Sequence, residues 1–360
     1  MLSYVIRRLL LMIPTLIGVT LLVFLIMAMA PGGLGAGLRD EAGSMRPEQR
    51  KVIEDYYKKR YGLDQPLWRQ YLRWANQVSP VGLKDAGVGF PASWRVGVKV
   101  PDLGESFLRK RPVIDVVADT LPITLLLNLI TIPIIYVISI LSGIYAAKYR
   151  GKTFDVASGT AFLALWSLPT MWVGVMLLGL LANRDNLQWF PTAGLHDTQA
   201  GLMSFLPSWG GESGFERGWL LDTLWHLALP VLCLTYGGFA FMSKLMRASV
   251  LENLQSDYAR TARAKGLADR VVLMRHVLSN SLLPLITVAA GILPGLLGGS
   301  LIVETIFSIN GMGRLMIEAI QMKDRELVMS QTYVIGAISL LCVIVSDVCY
   351  AIADPRVSYE

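Results

Sequence analysis

Residues Leu9–Ala30 read LLLMIPTLIGVTLLVFLIMAMA, an apolar run without a single Asp, Glu, Lys or Arg. An α-helix needs about 20 such residues to cross the hydrocarbon core of a bilayer. Five further stretches approach that length: Ala118–Ala147, Val156–Ala182, Thr223–Met246, Ser281–Val303 and Ser330–Ala353. Several contain proline (Pro14, Pro122, Pro133, Pro169, Pro230, Pro284 and Pro294), which membrane helices tolerate because neighbouring groups re-satisfy the freed carbonyls. Composition agrees. The 360 residues are 53% hydrophobic and 17% charged, against about 25% charged in a soluble domain. The fold class predicted is an all-α membrane protein with about six transmembrane helices.

Basic residues orient the spans. With the N-terminus inside, the inner segments carry Arg7, Arg8, Lys148, Arg150, Lys152, Arg247, Arg260, Arg263, Lys265, Arg270, Arg275 and Arg356. The shorter outer loops carry Arg184, Arg217, Arg314, Lys323 and Arg325, so 12 face 5 and the N-in, C-in arrangement is expected. The long segment 31–117 is exempt, because loops beyond about 60 residues translocate regardless of charge. The chain thus divides into a first transmembrane helix (1–30), an extracytoplasmic segment (31–117) and a five-helix core (118–360). Within 31–117, Glu48–Tyr61 reads as a short charged helix and Pro80–Pro101 as a glycine- and proline-punctuated loop. The first span could also be a signal peptide ending at Ala28-Met29-Ala30, but its apolar run exceeds the 7–15 residues of an h-region.

Motifs for chemistry within the chain are weak. The nearest approach to a Walker A loop is Ala146–Thr153, which has alanine in place of the first glycine and lies between two spans rather than between a strand and a helix. It reads better as a basic turn. Cys233, Cys342 and Cys349 lie in apolar stretches without CxxC spacing, and His196, His226 and His276 lack metal-ligand spacing. A proton-coupled carrier would need mid-membrane carboxylates and usually an internal repeat. An intramembrane enzyme would need a catalytic constellation. Lys244, His226 and Asp347 all fall near span ends, where snorkelling suffices.

The most informative stretch joins the fourth and fifth spans: Asp257-Tyr258-Ala259-Arg260-Thr261-Ala262-Arg263-Ala264-Lys265-Gly266-Leu267. Asp257 suits an N-cap and Gly266 a C-terminal cap, with strong helix formers between. Asp269–Asn280 continues as a second helical run, so coupling helices are expected at 257–280 on the cytoplasmic face. A lipid-bound amphipathic helix would oppose bulky apolar residues to its basic face. Here the non-basic positions are mostly alanine, and Ala259 and Ala262 share one face, which favours close docking into a protein groove.

At these residues the chain resembles the permease subunits of the dipeptide/oligopeptide/nickel ABC importers. Thr261–Leu267 with His276, Asn280 and Pro284 resembles their coupling signature, although Arg260 and Thr261 stand where the wider superfamily often has an acidic residue and alanine. Other stretches share the likeness: Arg7-Arg8 and Ala30-Pro31-Gly32-Gly33; Tyr61–Pro66; Asp102–Phe107; and Trp189–Gly194. So do Glu304, Phe307, Gly311, Gly313 and Arg314, and Asp347, Tyr350, Asp354, Pro355 and Arg356. Trp225–Leu232, Val345-Ser346-Asp347 and the tail Asp354–Glu360 look most like the branch importing microcin C and related oligopeptides.

The resemblance implies a non-enzymatic transport subunit of the bacterial inner membrane. It would pair with a homologous second permease and with two ATP-binding cassette domains, separate or fused. Those domains would hold the ATP and magnesium and would engage Tyr258, Ala259, Arg260, Thr261, Ala262, Arg263, Ala264, Lys265, Gly266 and Leu267. A periplasmic peptide-binding protein would deliver substrate to 31–117 and the loop Asn183–Asp222. No nucleic acid, metal or resident cofactor is implied.

Overall fold

The computed structural model describes residues 2–29, 62, 64–84, 95–106, 109–211, 214–292 and 298–353. The expected helix Glu48–Tyr61, the Ala30–Gly33 motif, Pro294 and the tail Asp354–Glu360 lie outside these residues. Among the described residues, five helices are long and apolar enough to cross a membrane: Ile6–Met29, Val113–Lys148, Gly218–Leu254, Asp269–Ala289 and Arg325–Ser346. A sixth crossing exists if the bent pair Thr153–Trp166 and Thr170–Ala182 is one span. The protein is an all-α multi-pass membrane protein.

The chain forms two compact units, Met1–Thr120 with Leu315–Leu341, and Leu121–Arg314 with Cys342–Glu360. In the first, α1 (Leu2–Met29) exposes Leu10, Leu22 and Ile26 and buries Thr20 and Phe24. So much exposed aliphatic surface would be costly in water and costs little in lipid. One of its polar contacts ties it to the next helix. Thr20 Oγ1 lies 2.9 Å from the Tyr71 hydroxyl, which also donates to the Ile17 carbonyl at 3.1 Å. Tyr71 belongs to α2 (Leu67–Val78), whose Trp74 packs edge-on against Tyr333.

The expected loop Pro80–Pro101 is instead partly a hairpin. β1 (Val81–Lys84) pairs antiparallel with β2 (Arg95–Val98), Val81 opposite Val98. The alternating valines outweigh the glycines that had suggested a loop. Asp102–Ser106 is threaded by Ser330 Oγ donating to the Leu103 carbonyl at 2.7 Å and by Ser106 Oγ donating to Asp324 at 2.7 Å. Asp324 caps the last helix by accepting from the Leu327 N–H at 3.1 Å.

The long helices of the second unit are α6 (Gly218–Leu254) and, from Leu121 onward, α3 (Val113–Lys148). At 37 residues α6 is about 55 Å long, well beyond a hydrocarbon core of about 30 Å. The two helices meet at small residues: a Cβ on Gly143 would lie 2.7 Å from Met246 Cβ and 2.8 Å from the Ser243 carbonyl oxygen. Ser142 and Ser243 hydroxyls are 3.0 Å apart at the same crossing. Small residues with a hydroxyl pair are how membrane helices approach closely.

The predicted span Val156–Ala182 is not one rod. α4 (Thr153–Trp166) and α5 (Thr170–Leu177, continued by a π-helical turn Leu178–Ala182) meet at 90°. Pro169 precedes α5 and cannot donate to the preceding turn. The Leu165 carbonyl that the proline leaves without its usual donor accepts from the Leu168 N–H at 3.1 Å, and the Leu168 carbonyl accepts from the Tyr236 hydroxyl at 2.9 Å. Removing that donor with Tyr236→Phe is expected to cost about 1–3 kcal/mol, visible as a lower unfolding temperature in detergent. An unchanged midpoint would show that the bend does not depend on it.

The predicted fifth span Ser281–Val303 is also displaced. The helical run of crossing length starts earlier, at Asp269, so that it takes in the predicted second cytoplasmic helix, and the apolar stretch after α10 (Leu283–Ile292) ends in a separate helix, α11 (Leu301–Ile306). Between α6 and α10 lie α7 (Asp257–Ala264), α8 (Asp269–Val271), a π-helical stretch Val272–Val277 and α9 (Leu278–Ser281). The last helices are α12 (Met312–Gln321) and α13 (Arg325–Ala353).

Candidate functional site

The stretch singled out in the sequence forms α7, seated on the end of α6. Ser256, not Asp257, occupies the N-cap position; Asp257 is the first helical residue, where its charge favours the positive end of the helix. The other end closes as a Schellman motif. Gly266 takes φ +81°, its N–H donates to the Arg263 carbonyl at 2.9 Å, and the Leu267 N–H reaches the Ala262 carbonyl at 3.4 Å. A Cβ on Gly266 would meet nothing within 4 Å. Glycine is needed there for its backbone conformation, not for space.

The alanine face corrects the sequence expectation. Ala259 and Ala262 do share a face, but it is turned inward: they are 0% and 7% exposed, packed in a cluster with Met246, Val250, Val272, Val277 and Leu285. Their small size lets α7 approach its own chain. The surface offered outward is Tyr258, Arg260, Thr261, Arg263, Ala264, Lys265 and Leu267, all exposed. Sequence alone shows that small residues permit docking, not which chain they dock on.

Polar contacts hold this outward face in place. The Tyr258 hydroxyl donates to Asn253 Oδ1 at 2.5 Å, and Thr261 Oγ1 to the Asp257 carbonyl at 2.8 Å. Arg263 donates to Asp269 at 3.2 Å and to the Leu254 carbonyl at 3.3 Å, tying α7 to α6 and α8. Arg260 lies 3.8 Å from Asp257. Of the other matched residues, His276 is half-buried in the π-helical stretch, Asn280 is exposed and Pro284 opens α10.

Two further clusters were not assembled from the sequence. Asp155, at the start of α4, takes two hydrogen bonds from Arg247 of α6 at 2.6 and 2.7 Å and one from the Gly151 N–H at 2.8 Å. The near-Walker turn is therefore a helix start anchored to α6, with no strand before it. The second cluster surrounds Glu304, which is fully buried. Its carboxyl accepts from Thr124 Oγ1 at 3.1 Å, the Ser300 N–H at 3.1 Å and the Arg314 N–H at 3.0 Å. Burial pushes its acidity down, that is, its pKa up, against those donors. Thr124 also accepts from the Met312 N–H at 2.8 Å. A Cβ on Gly311 would fall 2.5 Å from the Glu304 carboxyl and 2.7 Å from Thr124 Oγ1. Gly311→Ala should therefore break the cluster and lower stability by about 2–3 kcal/mol, read as reduced membrane accumulation and an earlier thermal transition. Wild-type behaviour would show that the loop yields without cost.

The loop between α5 and α6 is pinned to these elements. The Gly194 N–H donates to the Phe307 carbonyl at 3.0 Å, and Phe190 stacks on Trp225 at 4.6 Å.

Comparison with known proteins gives a consistent picture. Residues 139–359 match the model described as binding-protein-dependent transport system inner membrane component, and residues 1–128 match the N-terminal model of the same membrane components. The chain is 33% identical to the oligopeptide transport system permease protein AppB of Bacillus subtilis, over the whole of both chains. It is 32% identical to the di/tripeptide transport system permease protein DppB of Pseudomonas aeruginosa, again over both whole chains. It is 30% identical to the peptidoglycan transport system permease protein YejB of Agrobacterium fabrum, over 99% of this chain and 98% of that protein.

Proposed function

Because this chain belongs to the binding-protein-dependent transport system inner membrane components, a family that works with an ATPase and a substrate-binding protein, we propose that it imports oligopeptides or peptide-like compounds across the inner membrane. It is a transport subunit and not itself an enzyme. The observation that carries the substrate class is the end-to-end similarity to relatives named for oligopeptide and di/tripeptide transport. Identities of 30–33% spread evenly over these and the peptidoglycan-transport relative. The substrate reading therefore stops at peptides and peptide-like compounds, with microcin C a compound to test.

In this reading the N-terminus and C-terminus lie inside, residues 31–117 lie outside, and α7 to α9 face the cytoplasm. The chain pairs with a homologous permease. Two ATP-binding cassette domains, separate or fused, hold ATP and magnesium and grip the outward face of α7 between Tyr258 and Leu267. Closure on ATP moves α7, and with it α6, through the Arg263 contacts and the buried alanine seat. ATP can bias the two states of the pore only through such differential contact. The periplasmic peptide-binding protein docks on 31–117 and the loop Asn183–Asp222.

The test is uptake of a labelled oligopeptide into proteoliposomes carrying the permease pair, the ATPase and the binding protein. Uptake should require ATP and the binding protein and survive a protonophore. Uptake that collapses with the proton gradient while ATP is intact would favour a secondary carrier instead.

A further inference from the structure

Beside the Asp155–Arg247 pair lies a cavity of about 270 Å³. Asp155, Ser158 and Phe162 of α4 form one wall, and Ala240, Lys244 and Arg247 of α6 the other. Each set is spaced by three or four residues, so each is one stripe of its helix. The two helices run antiparallel there: Asp155 meets Arg247, and Phe162 packs on Phe239 at 5.7 Å. The cavity is therefore charged at one end and apolar at the other.

The charged end has cations to spare. Both oxygens of Asp155 are taken by Arg247 and the Gly151 N–H. Arg247 uses Nε and Nη2 for this, which leaves the two N–H donors of Nη1. Lys244 forms no ion pair among the described residues and is exposed. The turn between α3 and α4 adds Lys148, Arg150 and Lys152, with Lys148 and Lys152 over the Tyr149 ring at 5.2 and 5.4 Å. One neutralised carboxylate among so many cations makes this end a seat for an anion. Its depth follows from α4. Asp155 lies three residues past Lys152, about 4.5 Å into the helix, where a span meets the headgroup layer. The flanks are apolar. At about 100° per residue on antiparallel helices, Val156, Leu163 and Phe241 fall on one side of the cavity, and Ser243, which meets Ser142 of α3, on the other. Those three are 61%, 43% and 60% exposed, and on helices that cross a membrane such surface belongs against acyl chains.

We propose that this cavity holds the phosphate of an anionic phospholipid, contacted by Lys244 and by Nη1 of Arg247, with an acyl chain lying between Leu163 and Phe241. The lipid answers both halves of the site: the phosphate gives Lys244 the counter-charge that a lysine inside a crossing helix requires, and the chain covers the apolar flank on the same side. A peptide passing in water would neutralise the cations and leave that flank wet. Basic pockets between membrane helices bind lipid headgroups in this way. The assignment depends on α4 and α6 crossing the bilayer and not on what is transported, so its test reads lipid and not uptake.

The test is native mass spectrometry of the assembled complex, delipidated in detergent and titrated with phosphatidylglycerol or with phosphatidylethanolamine. The wild-type complex should bind a phosphatidylglycerol more tightly than it binds phosphatidylethanolamine. Lys244→Gln should weaken that binding about fivefold, and Lys244→Arg should keep it. Equal affinity for the two lipids in the wild type, or a preference that Lys244→Gln leaves intact, overturns the proposal. A photo-crosslinking amino acid at the exposed position Val156, with the complex in nanodiscs of both lipids, reads the place. Adducts with phosphatidylglycerol above its share of the bilayer are expected, and an excess of inorganic phosphate should leave them in place. Adducts with the second permease or with a supplied peptide instead of lipid overturn the proposal, and so does loss of the lipid adduct to inorganic phosphate, which would make the cavity a seat for a soluble anion.

Discussion

A Gly266→Val variant is expected to assemble into the membrane complex normally and to lose about 90% or more of its ATP-driven uptake. Two facts separate these effects. Outside the neighbouring residues of the chain, nothing lies within 4 Å of where a Cβ would stand, so the first added carbon meets no tertiary obstacle. The backbone, however, sits at φ +81°, which costs a β-branched residue about 1–2 kcal/mol. Valine relieves that strain by leaving the left-handed conformation. The bonds from Gly266 to Arg263 and from Leu267 to Ala262 then break, and the end of α7 frays. A shift of 1.4 kcal/mol is about tenfold in population, so most molecules would present a disordered grip to the ATPase. Gly266→Asn is the control, because asparagine tolerates the left-handed region, and it should retain most uptake. Equal loss in both variants would mean that the glycine matters for something other than its conformation. Full uptake in the valine variant would remove the lever from the mechanism.

The second large effect concerns stability. Gly143→Leu should prevent accumulation of folded protein, with a cost of about 3 kcal/mol or more. The first added carbon alone would stand 2.8 Å from the Ser243 carbonyl oxygen, which belongs to backbone and cannot rotate away. α3 and α6 would have to separate, losing the Ser142–Ser243 contact and opening the cluster around Met246 on which α7 rests. Gly143→Ala should show a smaller version of the same loss. Measuring the detergent-extracted monodisperse fraction and its thermal midpoint checks both; unchanged midpoints would mean that the crossing is loose.

How much of this was legible in the sequence depends on the range of the interaction. The spans were legible because the bilayer demands long apolar runs, and that demand is local. The break at Pro169 was not. Pro14, Pro122, Pro133 and Pro230 all sit inside unbroken helices. What differs at Pro169 is a tyrosine 68 positions away from Leu168 that takes up its carbonyl. The helix Asp257–Ala264 and its glycine stop were legible from capping chemistry. Its inward face was not, because alanine permits close approach to any surface and does not name the chain. Glu304 stood out only by resemblance; its partner Thr124 is 180 positions earlier. Asp155 and Arg247 are 92 apart, and no local pattern pairs them.

The central claim is that force arrives on the outward face of α7. A photo-crosslinking amino acid placed in turn at Tyr258, Arg260 and Leu267, and at Ala259 as the inward control, in the complex co-expressed with its ATPase, reads that face directly. The account predicts capture of the ATPase from the three outward positions, altered by ATP, and none from Ala259. Capture of nothing from the outward positions, or their labelling by a membrane-impermeant reagent from outside the cell, would contradict it.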